Sequence, residues 1–208
     1  MNLLDNFINE CDIALKTLSF KKSGTGRSYP ANETSSSLSK KEKSLSAQLM
    51  RVNLAGEVAA QALYRGQAMV CKDAEIKNHL VQAGEEETDH LIWCKKRLEE
   101  LNGKPSILNP VWYAGSFAIG AIFGSFGEKT SLGFVEETEK QVVKHLEKHL
   151  DKVSKNDTET IEILKTMRAD EDEHAQEAIE NGSESLSQPT KKVMSFTAKV
   201  MTSSSAYI

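Results

Sequence analysis

An all-α fold is what this 208-residue sequence predicts, and three observations carry the expectation. Chain breakers are scarce: 12 Gly and 4 Pro are too few for the many turns of an all-β chain. Apolar residues recur at three- and four-residue steps, almost without interruption, from about Leu45 to about Ile179. No segment makes a convincing strand. With 39% apolar and 27% charged residues the chain can bury a sizeable core. A formal charge of −4 argues against a nucleic-acid partner. Three cysteines, Cys11, Cys71 and Cys94, make neither a disulfide framework nor a CxxC metal pair and fit a reducing compartment. Asp5, Glu10 and Asp12, with no basic region ahead of a long apolar run, fit neither a signal nor a transit peptide.

In chain order, residues 1–20 read as an amphipathic helix, because Leu4, Phe7, Ile8, Cys11, Leu15 and Leu18 fall on one stripe. Residues 21–46 are rich in Ser and Lys, contain Gly24, Gly26 and Pro30, and show no period; they read as a linker. A bundle is expected over 47–182 and a C-terminal segment over 183–208. Within this stretch, helices are expected from about Leu45 to Val70, Ala74 to Leu101, Val111 to Phe126, Thr130 to Val153 and Asp157 to Ile179, with a short one from Pro189 to Met201. Asn102-Gly103 and Asn181-Gly182 supply stops, and Asn156 with Glu159 makes a candidate capping box.

The segment from Val111 to Phe126 (VWYAGSFAIGAIFGSF) carries no charge. Spanning a bilayer takes about 20 apolar residues, so this one is too short. Two readings stay open: a buried core helix, or a surface helix that dips into lipid or lines a route for an apolar substrate.

Chemistry enters with two Glu-x-x-His steps, Glu87 with His90 and Glu171 with His174. Residues three apart share a helix face, so each pair can hold one metal ion. Alone the signal is weak; the neighbours strengthen it. Glu87 shares its face with Leu80, Ala83, Gly84, Leu91 and Cys94, and Glu171 with Leu164, Met167, Ala175 and Ala178. Glu139 lies among Leu132, Val135, Val142, Val143 and Leu146, and Glu57 near Leu54, Ala60 and Tyr64, with Asn53 and Gln61 close by. Glu137, beside Lys140 and Gln141, reads as solvent-facing. Four inward carboxylates need cations, since an unpaired buried charge costs several kcal/mol. Only Arg65 and Arg168 lie near these faces, so a metal pair is the economical partner.

Glu57 and Glu87 are 30 residues apart, Glu139 and Glu171 are 32, and both midpoints fall at expected turns. Each glutamate therefore stands level with a Glu-x-x-His on an antiparallel neighbour. The chain holds this device twice, which is the ligand set of ferritin-like dimetal bundles: Glu57, Glu87, His90, Glu139, Glu171 and His174. The expected fold is thus a ferritin-like four-helix bundle with additional helices. Glu86 and Asp170 can each accept a hydrogen bond from the histidine of the opposite motif, or face solvent. His145 reads as a candidate outer partner, His149 as surface and His79 as an ordinary helix residue. The ligand set does not choose among oxygen-using di-iron enzymes, ferroxidases and manganese catalases.

Several runs do choose. Asn53-Leu54-Ala55-Gly56-Glu57 continuing to Tyr64-Arg65-Gly66-Gln67-Ala68, then Glu86-Glu87-Thr88-Asp89-His90-Leu91, then Gly133 to Glu139 with His145 and His149, and Arg168-Ala169-Asp170-Glu171-Asp172-Glu173-His174, together resemble the demethoxyubiquinone hydroxylase family of ubiquinone biosynthesis, in its bacterial form. The resemblance implies two iron ions per chain. Glu57, Glu87 and His90 would hold one and Glu139, Glu171 and His174 the other, with Glu87 and Glu171 bridging. It implies an O2-dependent monooxygenase that hydroxylates the ring of 3-demethoxyubiquinol, one oxygen atom going to the ring and the other to water. Electrons would come from the quinol, with NADH reducing the quinone; no GxGxxG follows a strand here. Some members carry Tyr where this chain has Leu146, so an electron-relay role for that tyrosine does not carry over. The implied partners are a prenylated quinol, O2 and a peripheral membrane contact at the cytoplasmic side of the cell inner membrane, through residues 111–126 with Trp112 and Tyr113 at the lipid interface. Contacts with other ubiquinone-biosynthesis proteins stay open. The alternatives are a ferritin-type ferroxidase, which needs no apolar substrate route, and a non-catalytic membrane-associated helical scaffold, which needs no inward glutamates.

Overall fold

The computed structural model describes residues 3–31 and 37–208, without the side chains of Leu3, Leu4, Asn6 and Phe7. The described residues form helices and no strand: α1 (Leu3–Leu18), α2 (Lys40–Val70), α3 (Ala74–Glu100), α4 (Asn109–Ser125), α5 (Glu128–Lys152), α6 (Thr158–Glu180) and α7 (Gln188–Ser205). Two antiparallel pairs, α2 with α3 and α5 with α6, make the ferritin-like bundle. Their turns, at residues 71–73 and 153–157, are short because the N-caps form at once. Asp73 accepts from the Glu75 and Ile76 N–H groups.

Two sequence expectations change at helix starts. Residues 40–46, assigned to the linker, are the first turns of α2, started by a capping box in which Ser39 and Glu42 exchange hydrogen bonds. Asp157, not Asn156, caps α6, accepting from the Thr160 N–H at 3.0 Å. Buried Arg97 of α3 grips the same carboxylate at 2.6 Å, so a long-range pair places this cap.

The core is split along the bundle axis. One apolar cluster includes Leu54, Leu91, Leu146 and Met167, the other Tyr64, Leu80, Val135 and Ala178. On each bundle helix one glutamate falls between the two clusters: Glu57, Glu87, Glu139 and Glu171.

The connection from α3 to α5 carries α4, which lies along α2. The backbones nearly touch there: a Cβ at Gly66 would collide with the Phe117 carbonyl, and one at Gly120 with the Leu63 carbonyl. Only Asn109, Tyr113, Gly120 and Gly124 of α4 are buried, while Val111, Ile122 and Phe126 are exposed. The segment is therefore half core and half surface: its glycines, Tyr113 and Phe117 face the bundle, and Phe123 meets Phe134 of α5 at 4.2 Å between ring centroids. Trp112 and Tyr113 also turn inward. Tyr113 is buried, and the Trp112 indole donates to Ser205 of α7 at 3.0 Å.

α1 docks by Thr17, which donates to Gln61 at 3.0 Å, and by Glu10, which pairs with Arg65. Ile8, Cys11 and Leu15 of its apolar stripe are exposed instead, while Leu18 packs on the core; the side chains of Leu4 and Phe7 lie outside the described residues.

Candidate metal centre

Each bundle helix delivers its glutamate at the same level because the antiparallel pairs fold back at the turns the spacing implies. Ligand-type atoms of Glu57, Glu87, His90 and Glu171 all lie within 4.8 Å of one another, and all four residues are buried. His90 Nδ1 stands 3.1 Å from Glu87, 3.2 Å from Glu171 and 3.8 Å from Glu57. His174 Nδ1 stands 3.3 Å from Glu87 and 3.4 Å from Glu171. Both imidazoles thus face the same two carboxylates, Glu87 and Glu171, from opposite motifs. Glu139 is equally buried but is held by Tyr64, whose hydroxyl donates to it at 2.9 Å.

The outer nitrogens cross over. His90 Nε2 meets Asp170 at 2.8 Å and His174 Nε2 meets Glu86 at 2.9 Å, so each histidine bonds the acid preceding the opposite motif's glutamate. An ionised carboxylate can only accept, so Nε2 carries the proton and Nδ1 is the nitrogen able to ligate.

The electrostatics show a site short of positive charge. Burial pushes the Glu57 and Glu139 carboxyls well above the usual range, and the neighbouring Glu87 and Glu171 push them further. Burial opposes ionisation of Glu87 too, but hydrogen bonds from His174 and His90 hold it well below the ordinary carboxylate value. Burial alone would depress both histidines; hydrogen bonds to Asp170 and Glu171 at His90, and to Glu171 and Glu86 at His174, raise them instead. Glu87 Oε1, Glu171 Oε2 and His174 Nδ1 are buried, and the nitrogen meets the two oxygens at 3.3 and 3.4 Å without a well-formed hydrogen bond. The two arginines expected near these faces are engaged elsewhere: Arg65 pairs with Glu10 and Arg168 with the exposed Glu147. Four buried carboxylates and two imidazoles whose inner atoms converge fit metal cations, which would replace the protons these groups otherwise attract.

Other sequence expectations land elsewhere. His145 stacks on His149 at 4.0 Å between ring centroids, away from the cluster. His149 is buried, not on the surface, although Lys148, Asp151 and Lys152 around it are exposed. Burial, with Lys152 and Lys148 nearby, lowers His145 to about 4; burial, His145 and Lys152 lower His149 to about 3. His79 lies 3.8 Å from Glu177. Glu137 is not solvent-facing, since Lys191 of α7 covers it at 2.8 Å.

Residues 44–205 match the protein family described as Ubiquinone biosynthesis protein COQ7. This chain belongs to that family. It is 49% identical over 209 residues to the 3-demethoxyubiquinol 3-hydroxylase of Legionella pneumophila strain Lens, covering 100% of this chain and 98% of that relative. The enzyme of the same name from Francisella philomiragia is 48% identical over 202 residues, 97% of this chain and 96% of the relative. That from Nitrosococcus oceani is 47% identical over 209 residues, again 100% and 98%. Full-length similarity of this order makes the chain an oxidoreductase of ubiquinone biosynthesis.

Sequence reasoning missed two groups near the centre. Tyr64 was read only as an apolar flank of Glu57; its hydroxyl had no signal of its own. Arg27, in the supposed linker, forks onto Asp170 with contacts of 2.7 and 3.0 Å. An arginine in an aperiodic segment gives no local sign of what it will reach.

Proposed function

We propose that this chain is a di-iron monooxygenase that hydroxylates the ring of 3-demethoxyubiquinol with O2. The observation that carries the reading is the placement of Glu87 and Glu171 between His90 and His174, in a chain similar along its whole length to hydroxylases of that name. Glu57, Glu87 and His90 would hold one iron, Glu139, Glu171 and His174 the other, with Glu87 and Glu171 shared. Iron bound here supplies the activation of dioxygen, from which one atom enters the ring as hydroxyl and the other leaves as water, with two electrons and two protons from the reductant.

The chain's own groups prepare that step. Four ionised carboxylates carry −4, which two divalent cations neutralise, so the loaded centre is tolerable between two apolar clusters. Asp170 and Glu86 hold the imidazoles with Nδ1 inward. Tyr64 fixes the orientation of Glu139. The close crossing at Gly66 and Gly120 leaves no channel between α2 and α4 at that level.

A prenylated quinol partitions into lipid, so the chain works at a membrane surface, assigned here to the cytoplasmic face of the cell inner membrane. Among the described residues, no helix is long and apolar enough to cross a membrane. The exposed Val111 and Ile122 of α4 and Phe126 just after it, with Ile8 and Leu15 of α1, support a peripheral contact. Liposome flotation should weaken in the folded double variant Ile122→Glu, Phe126→Glu; unchanged flotation argues against α4 as the contact.

The reaction is tested with reduced enzyme, a short-tailed demethoxyquinol and labelled dioxygen. One labelled atom on the ring supports the hydroxylase. Label found only in water, with iron oxidised and retained, supports a ferroxidase instead.

A further inference from the structure

The stretch that follows α1 is a strap across the His90 side of the centre. Thr25 donates to the buried Asp89, the residue before His90, through its N–H at 3.0 Å and through its hydroxyl. Gly24 passes so close that a Cβ would collide with the same carboxylate. Tyr29 bonds Glu100 further along α3 at 3.2 Å, and Lys96 covers its ring at 3.9 Å. Between these anchors the Arg27 guanidinium lies 4.9 Å from the centre of the Trp93 ring, which stands 5.3 Å from the His90 ring. From there Arg27 forks onto Asp170, Nη1 reaching Oδ2 at 2.7 Å and Nη2 reaching Oδ1 at 3.0 Å. Oδ2 is also the oxygen that accepts from His90 Nε2.

The other histidine has no such support. Among the described residues, Glu86, which accepts from His174, is braced only by the neutral Gln82 on its own helix at 3.2 Å. The field of Arg27 reaches Glu86 as well, but its hydrogen bonds go to Asp170 alone. A bidentate arginine fixes a carboxylate's plane as well as its charge. Asp170 is therefore locked in one orientation and Glu86 is not.

We propose that Arg27 is a positioning residue of the metal centre, acting through Asp170 to fix His90, so that the strap makes the two metal positions unequal and the His90 one the more firmly held. The inference rests on the reading of the cluster as a dimetal centre. Loss of an outer partner of a ligating histidine costs 10- to 100-fold in metal affinity, and Arg27, one bond further out, falls near the lower end.

The test competes the iron-loaded full-length chain against a coloured Fe(II) chelator. The unaltered chain should give up two irons at separated chelator concentrations. Arg27→Gln should release the more tightly held iron at about tenfold lower chelator and leave the other unchanged. Arg27→Lys, which keeps charge without the fork, should fall between. Asp170→Asn should lose at least as much as Arg27→Gln, and the double variant no more than Asp170→Asn alone; a merely structural role would not give that non-additivity. Thermal unfolding of the metal-free variants checks the fold. Arg27→Gln matching the unaltered chain, both irons loosened alike, or additive losses in the double variant each overturn the proposal while the dimetal reading stands. An unaltered chain that retains no iron overturns both.

Discussion

The two halves of the bundle are built on one plan and finished differently. In α2–α3 and in α5–α6 alike, a glutamate on the first helix stands level with a Glu-x-x-His on the second, and each histidine reaches across to the other half for its acid. Yet Asp170 is clamped by Arg27, whereas Glu86 is braced by Gln82; Glu139 is held by Tyr64, whereas Glu57 lies 3.8 Å from His90. The repeated plan supplies the ligands. The differences, one from Arg27 outside the repeat and the others from side chains of α2 and α3, would make two proposed metal positions distinct.

The largest effects should follow from removing a ligand. Glu57→Ala and Glu139→Ala should each cost more than about 100-fold in activity, beyond the loss of an outer partner, with iron content falling in both. Glu137→Ala, two residues from Glu139, should leave iron and activity intact and weaken only the α7 contact, by about 0.5 kcal/mol in unfolding. Similar effects from Glu137→Ala and Glu139→Ala would mean that the wrong face of α5 has been assigned to the centre.

Next come the crossed acids. Asp170→Asn and Glu86→Gln should each weaken iron retention by about 10- to 100-fold, and at different positions. Chelator titration should therefore show complementary losses; the same iron lost in both variants would break the assignment of one histidine to each half.

A smaller difference concerns acid stability, since α5 carries the buried His145 and His149 and α3 has no equivalent pair. Their folded values, about 4 and about 3, lie below the ordinary 6.5. The unfolded chain binds protons first, so their contribution to stability is full above about pH 6.5 and is lost as pH falls towards 4 and 3. In a His145→Gln, His149→Gln variant this part of the acid destabilisation should shrink by about 3–4 kcal/mol for the pair, read from denaturant unfolding at pH 7 and pH 5. An unchanged pH slope would place the cause elsewhere.

Much of this architecture was legible because it is local and periodic. The four bundle helices follow from three- and four-residue steps, and Leu80, Ala83, Gly84, Leu91 and Cys94 do bury the face of Glu87. The ligand level followed from two near-equal spacings about short turns. What escaped depends on contacts distant in sequence. Arg27 meets Asp170 across 143 residues, and Arg97 places the α6 cap at Asp157 across 60. α4 misled because apolar composition reports affinity for a dry surface without saying which face supplies it; here the glycines and Tyr113 meet the bundle while Val111 and Ile122 point away. His149 looked exposed because its helix neighbours Lys148 and Lys152 are exposed and polar.

The central claim, one dimetal centre assembled from two unequal halves, is tested most directly by Mössbauer spectroscopy of the full-length chain loaded anaerobically with isotopically enriched iron. Two ferrous irons per chain, giving two distinguishable doublets of equal area, are the expected result. One iron per chain, or two giving a single indistinguishable doublet, would contradict the account.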